Sequence, residues 1–304
     1  GVFDLALKLP AAGLWSTERQ LRHQRRVPSF WEVASHYGSR VGIVGGVAHL
    51  PVGEVNGFWI DLTVDLPAQT TFYPVELADS WRPASEPGAH RRGSLAWVDE
   101  GTARLVEELE YALELYERYD VDLAYFYTHH LDTALHLNWG YWTRGRFFLR
   151  DLPISWSDEV WSRSVLDNLD HPAFKGYTAL DGIIGRVREA RSGDLLIVSD
   201  HGWTFSGYEH MVSPEGVVIL AGPSFGSGVI DLDILEVGPT ILAGLGLPVS
   251  EAIAANVRSD LLPSDRAADI VAQYPPEALR PASRPEEDDK EGEIERLRAL
   301  GYIN

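Results

Sequence analysis

The stretch LVEELEYALELYERYDVDLAYFY, residues 105–127, decides the fold class. In its first part, apolar residues such as Leu105 and Leu109 recur every three to four positions between glutamates, which predicts an amphipathic helix over residues 98–119. The continuous apolar run that follows, residues 121–127, is typical of a buried strand in a parallel sheet. A helix that leads directly into a buried strand is the repeating unit of α/β proteins.

The same helix-then-strand pattern recurs along the chain. The further predicted helices lie at residues 29–37, 172–191 and 234–245, and the further predicted strands at residues 40–46, 194–199 and 216–221. Residues 56–92 are rich in Pro, Gly and Asp and are predicted to form a loop. We therefore expect an α/β three-layer sandwich, with a largely parallel central sheet covered on both faces and ligands beyond the carboxyl ends of its strands.

The composition excludes several classes of function. The 304 residues carry 26 basic and 45 acidic side chains, and a net charge of −19 argues against a nucleic-acid-binding surface. Without Cys, these residues form no disulfide, thiolate zinc site or Cys nucleophile. Because no apolar run reaches about 18 residues, we expect no membrane segment within this chain. The compartment stays open, with the cytoplasm favoured.

A first candidate metal motif follows the strand at residues 121–127. Asp132 and His136 lie four positions apart and share one side of a helical turn. One carboxylate with one imidazole is a suitable ligand pair for zinc or manganese. The alternative interpretation is a helix-capping Asp and a surface His.

A second candidate motif follows the strand at residues 194–199. Asp200 and His201 would point to opposite faces of a continuing strand, so both serve one site only if the chain turns, which Gly202 favours. A helix-capping Asp beside a turn His is the alternative. His210, which precedes the next predicted strand, is either a third imidazole ligand or a surface His.

Three His and two Asp at strand ends are enough to begin a two-metal site, which clamps the attacking and leaving oxygens of an in-line displacement. The two Asp side chains offset only part of the positive charge of two divalent ions. A complete site therefore needs another carboxylate and an anionic nucleophile or substrate oxygen, and no residue of this chain fits that position well.

Several motifs together resemble the alkaline phosphatase superfamily, in its type I phosphodiesterase and nucleotide-pyrophosphatase-like branch, which includes predicted phosphohydrolases and phosphomutases. The motifs are SFWEVASHYGSRVGIVGG at residues 29–46, the Asp132/His136 pair, LLIVSDHGW at residues 195–203, DILEVGPTILAGLGLPV at residues 233–249 and EIERLRALGYI at residues 293–303. The resemblance covers most of the chain and implies an alkaline phosphatase-like sandwich.

The resemblance also implies a ligand set. It assigns Asp132, His136 and His210 to one divalent metal ion and Asp200 and His201 to a second, with zinc expected and manganese as the alternative. The cofactors are thus two divalent ions.

The activity implied by the resemblance is hydrolysis of a small-molecule phosphate ester, with phosphodiesters preferred over monoesters. The Thr or Ser nucleophile of the family and a further Asp precede the matched region, so both are expected upstream of Gly1, and this chain alone is expected to be inactive. His49 either lines the substrate pocket or caps a turn.

For the domain organisation, we expect residues 1–280 to form the metallohydrolase domain without its first strand and nucleophile segment. Residues 281–304 are expected to form an acidic linker and a short terminal helix. Two alternatives keep the same fold, a sulfatase and a phosphomutase. A third is a non-catalytic relative that binds a metal or another ligand.

Overall fold

The computed structural model describes residues 27–46, 50–62, 67–84, 95–132, 172–202, 216–266 and 268–278. These residues form a mixed α/β structure that divides into two compact units. The first unit takes its described residues from Gly1–Arg82, Tyr111–Tyr127 and Ala221–Leu297, and the second from Pro83–Glu110 and Thr128–Leu220. The predicted linker and terminal helix at residues 281–304 lie outside the described residues.

A four-stranded mixed sheet forms in the first unit. Its strands are β1 (Val41–Val44), β2 (Gly57–Ile60), β3 (Phe72–Tyr73) and β4 (Leu123–Phe126), in the spatial order β3-β2-β1-β4. β1 pairs in parallel with both β2 and β4, whereas β3 runs antiparallel to β2. The sheet is therefore mixed, with two parallel pairings and one antiparallel edge strand.

Both faces of this sheet carry apolar clusters, because strand residues alternate in direction. On one face, Phe58 and Ile60 pack with Tyr116 of helix α3 (Leu95–Arg118). On the other face, Ile43 and Trp59 pack with Trp31 of helix α1 (Phe30–His36). Burial of these side chains supplies the main stabilisation of the first unit.

The remaining α-helices and strands follow in chain order, beside 3-10 turns at Ser259–Leu261 and Pro276–Ala278. They are α4 (Pro172–Ala190), β5 (Leu195–Val198), β6 (Val218–Ala221), α5 (Ile234–Gly244), β7 (Val249–Ser250), α6 (Glu251–Ala254) and β8 (Ile270–Val271). β5 pairs with β6 in one two-stranded sheet and β7 with β8 in another. Each predicted helix and strand within the described residues is present. Among the described helices, none combines the length and the apolar character needed to cross a bilayer.

Two details of the sequence prediction are wrong. Residues 56–92 are not loop throughout, because they contain β2, β3, helix α2 (Ala68–Thr71) and a 3-10 turn at Val75–Asp79. These elements have two to five residues each, which is too short for a periodic signal among the surrounding Pro, Gly and Asp. In addition, β4, β5 and β6 are only partly buried, not fully buried as their apolar runs predict.

Gly57 begins β2 at a point of close backbone approach to β1. Its φ is +131°, in the region that favours glycine, and a Cβ there would overlap the Val41 carbonyl group. The close approach lets β2 pair with β1 from its first residue, Gly57 opposite Val41.

We expect Gly57→Ala to lower the free energy of unfolding by roughly 2–4 kcal/mol, because it adds both backbone strain and overlap. Gly38→Ala is the control in the same unit, since Gly38 also has a positive φ of +95° but open space around it. Urea unfolding should show a clearly smaller loss for Gly38→Ala. Equal losses would contradict the role of the close approach.

Arg40 joins the start of β1 to the turn that precedes β4. Its backbone N–H donates to Asp122 Oδ2 at 2.8 Å, and its guanidinium donates to Asp120 Oδ2 at 2.7 Å. The backbone N–H of Arg40, and then its side chain, hold the pKa of Asp122 below the ordinary value of 3.8. These bonds fix the ends of two neighbouring strands to each other.

We expect Asp122→Asn to lower the urea midpoint at neutral pH and to have little effect in strong acid. A lowered pKa means that the carboxylate stabilises the fold above its ordinary pKa and loses this contribution as pH falls through the folded-state value. Asp120→Asn is the control, because exposed ion pairs contribute little. A stability difference that persists unchanged well below the pKa of Asp would contradict this assignment.

Candidate functional site

Asp132 is a buried carboxylate in the second unit. The chain is helical from His130 to Asp132, and both carboxylate oxygens of Asp132 are inaccessible to solvent. The pKa of Asp132 is raised to about 6, mainly by burial; the charge of His201 opposes the rise and that of Asp200 adds to it. Because an uncompensated buried charge is costly, this position demands a positive partner whenever the carboxylate is ionised.

The Asp200/His201 motif lies at a bend directly after β5. β5 ends at Val198 and the chain bends at Asp200, which brings both side chains of the motif together. His201 Nε2 lies 3.7 Å from Asp200 Oδ1 and 3.9 Å from Asp132 Oδ1. We refer to Asp132, Asp200 and His201 as the strand-end cluster, since all three follow closely after β4 or β5.

Access to the strand-end cluster differs from residue to residue. The side chains of Asp132 and His201 are 15% and 20% exposed, whereas that of Asp200 is 70% exposed. The cluster is therefore closed around Asp132 and open to solvent at Asp200, which is the side available to a ligand.

A hydrogen bond orients the imidazole of His201. Nδ1 lies 3.0 Å from the Gly202 carbonyl oxygen. A carbonyl oxygen only accepts, so this bond places a proton on Nδ1. Nε2 is the ring atom that faces the two carboxylates, and the hydrogen bond from Nδ1 fixes the ring in that orientation.

Ser199 fixes the bend to the strand that follows. Its Oγ accepts from the Val217 N–H at 2.8 Å and donates to the His201 carbonyl oxygen at 3.2 Å, and its own N–H donates to the Val217 carbonyl oxygen at 2.8 Å. These bonds connect the bend to the residue that precedes β6. The direction of His201 is thereby set by the pairing of β5 with β6.

The remaining predicted site residues, His136, His210 and His49, lie outside the described residues. The structure thus places three of the five predicted metal ligands and brings those three together. Within the described ranges, no group of three or more His, Cys, Asp or Glu side chains meets the geometry of a metal site.

His130, two residues before Asp132, forms a contact with α3 that the sequence does not predict. Its Nε2 lies 2.9 Å from Thr102 Oγ1 on α3, and burial lowers its pKa to about 4, so the ring is neutral at physiological pH. His129, beside it, is buried as well. The only local signal in the sequence is the isolated Gly101 within the α3 pattern, because such a glycine marks a close approach of another group.

Comparisons with protein-family models, curated proteins and solved structures find no match to this chain. The alkaline phosphatase resemblance therefore rests on the sequence motifs. The geometry of the strand-end cluster has to support any functional proposal independently of them.

We expect Ser199→Ala to accelerate hydrogen exchange of the Val217 amide about fivefold, because the loss of one hydrogen bond costs about 1 kcal/mol. Ser199→Thr keeps the hydroxyl group and is the matched control. Exchange measured by NMR should be nearly unchanged in the Thr variant. If the Ala variant exchanges at the wild-type rate, Ser199 does not hold the bend.

Proposed function

We propose that this chain carries the metal-binding part of a metal-dependent hydrolase of phosphate esters. The observation that supports the proposal most directly is the convergence of Asp132 and His201, with Asp200 beside them. The three side chains belong to two motifs that are far apart in the sequence.

The strand-end cluster contains the types of donor atom that bind divalent cations, although its three described side chains alone do not have the geometry of a metal site. Carboxylate oxygen and imidazole nitrogen are ligands of zinc and manganese, and Nε2 of His201 faces the carboxylates. A nearby cation would also stabilise the ionised form of Asp132, whose burial otherwise favours the protonated form. Asp132 and His201 would bind the ion, and Asp200 would be a further ligand on its solvent-exposed side.

The charge balance favours a phosphate ester only if a cation is present. The strand-end cluster carries two carboxylates in a chain of net charge −19, so an anionic substrate is repelled unless positive charge offsets them. Divalent ions, when bound, supply positive charge that neutralises the phosphoryl oxygens during displacement. Asp132 and His201 fix where that charge lies, and the exposed Asp200 marks where the substrate approaches.

The finer parts of the proposal come from the family resemblance. His136 and His210 complete two divalent metal sites, zinc or alternatively manganese, in an alkaline phosphatase-like three-layer sandwich. In the family, a Thr or Ser oxygen attacks phosphorus and the ester alcohol leaves, and we assign His49 to the lining of the substrate pocket. Phosphodiesters are preferred over monoesters.

The proposal predicts that a form of the protein carrying the family's Thr or Ser nucleophile hydrolyses bis(p-nitrophenyl) phosphate faster than p-nitrophenyl phosphate and that chelator abolishes both activities. Asp132→Asn and His201→Ala should each lower kcat/KM at least about a hundredfold, because each removes a ligand to the ion. Re-addition of zinc or manganese after chelation should restore the activity of the wild-type protein but not that of either variant.

Matched controls are Asp181→Asn, an exposed carboxylate in the second unit, and His36→Ala, an exposed imidazole in the first. Both should keep wild-type activity. Full activity in chelator, or in either Asp132→Asn or His201→Ala, would overturn the proposed function.

A further inference from the structure

His130 lies two residues before Asp132 and is fixed at both its backbone and its ring. Its backbone N–H donates to Thr128 Oγ1 at 3.0 Å, and its Nε2 forms the 2.9 Å hydrogen bond with Thr102 Oγ1. The first bond fixes the point at which the chain becomes helical. The second joins that point to α3, 28 residues earlier in the sequence.

Gly101 makes room on α3 for the His130 ring. A Cβ at Gly101 would lie 2.7 Å from Cε1 and 2.8 Å from Nδ1 of His130, closer than real side chains allow. The ring therefore lies directly against the helix backbone, at a position where any other residue would displace it. Gly101 and Thr102 together form a site for this imidazole, one by leaving space and the other by hydrogen bonding.

The two residues that follow contact different neighbours. Leu131 lies over α4, where a Cβ at Gly176 would be 3.2 Å from its Cδ1, and Asp132 faces His201. Ion pairs join α4 to α3, Lys175 with Asp99 at 2.9 Å and Arg186 with Glu110. Three consecutive residues thus have three different neighbours: His130 contacts α3, Leu131 contacts α4, and Asp132 faces His201.

From this arrangement we infer that His130 is a positioning residue, whose contact with Gly101 and Thr102 sets the direction in which Asp132 faces His201. His130 is not itself a ligand, because its Nε2 is engaged by Thr102 and its Nδ1 lies against the helix. One consequence of the inference, that metal affinity depends on α3, rests on the proposed function. The geometric claim holds without a metal.

The experiment compares four variants that separate the hydrogen bond from packing. Thr102→Val and His130→Leu keep the approximate volume and remove the bond, whereas Thr102→Ser and His130→Gln keep a polar group able to form it. Circular dichroism and urea unfolding establish that each variant folds. Asp132→Asn serves as the reference for a His201 ring without the Asp132 carboxylate, with Asp200 still beside it.

The first readout is the His201 Cε1–Hε1 signal, measured at fixed pH by NMR in metal-free protein with labelled His. We expect Thr102→Val and His130→Leu to shift this signal toward its position in Asp132→Asn, and Thr102→Ser and His130→Gln to keep it near wild type. The second readout is zinc affinity by calorimetry, expected to fall roughly 10- to 100-fold in the first pair and to recover in the second.

The outcomes separate the two proposals. If Thr102→Val and His130→Leu fold and keep both the wild-type His201 signal and zinc affinity, the positioning role is overturned, even if stability falls. If the wild-type protein binds no zinc or manganese, the proposed function fails. In that case the His201 signal alone decides the positioning role.

Discussion

Burial of the Asp132 carboxyl group is the constraint on which the rest of the candidate site depends. A carboxylate without solvent contact is unfavourable unless positive charge lies near it, and its pKa of about 6 reflects that cost. Nε2 of His201 lies 3.9 Å from Asp132 Oδ1, and the charge of His201 opposes the rise in the pKa of Asp132. Under the proposed function, a divalent cation bound by these two side chains would favour the ionised form of Asp132.

Each side of the strand-end cluster is held by a separate element of the second unit. On one side, Ser199 joins the bend after β5 to the start of β6, which fixes His201. On the other side, His130 contacts α3 and thereby fixes the helical turn that carries Asp132. Supporting contacts of this kind give a site its geometry, because the functional side chains themselves follow strands and lie in short connecting segments.

The elements that sequence predicts well are those with enough residues to show a period. α3 and α4, with 24 and 19 residues, repeat their apolar positions several times, and β1 and β5 stand out as apolar runs. β2 is missed because its four residues begin with Gly57 in a loop-like segment, although Phe58 and Trp59 are fully buried. The approach of Asp132 to His201 follows from the rule that ligand groups gather at strand ends. No comparable rule predicts the hydrogen bond between His130 and Thr102, because it depends on side-chain packing between distant segments.

Equilibrium dialysis followed by elemental analysis tests the central claim most directly, because it counts bound metal without requiring catalysis. We predict that the protein retains stoichiometric zinc or manganese at neutral pH, and that Asp132→Asn and His201→Ala lose at least one equivalent while Asp181→Asn retains the full amount. Wild-type protein without bound divalent metal, or an Asp132→Asn protein that binds as much as wild type, would contradict the account.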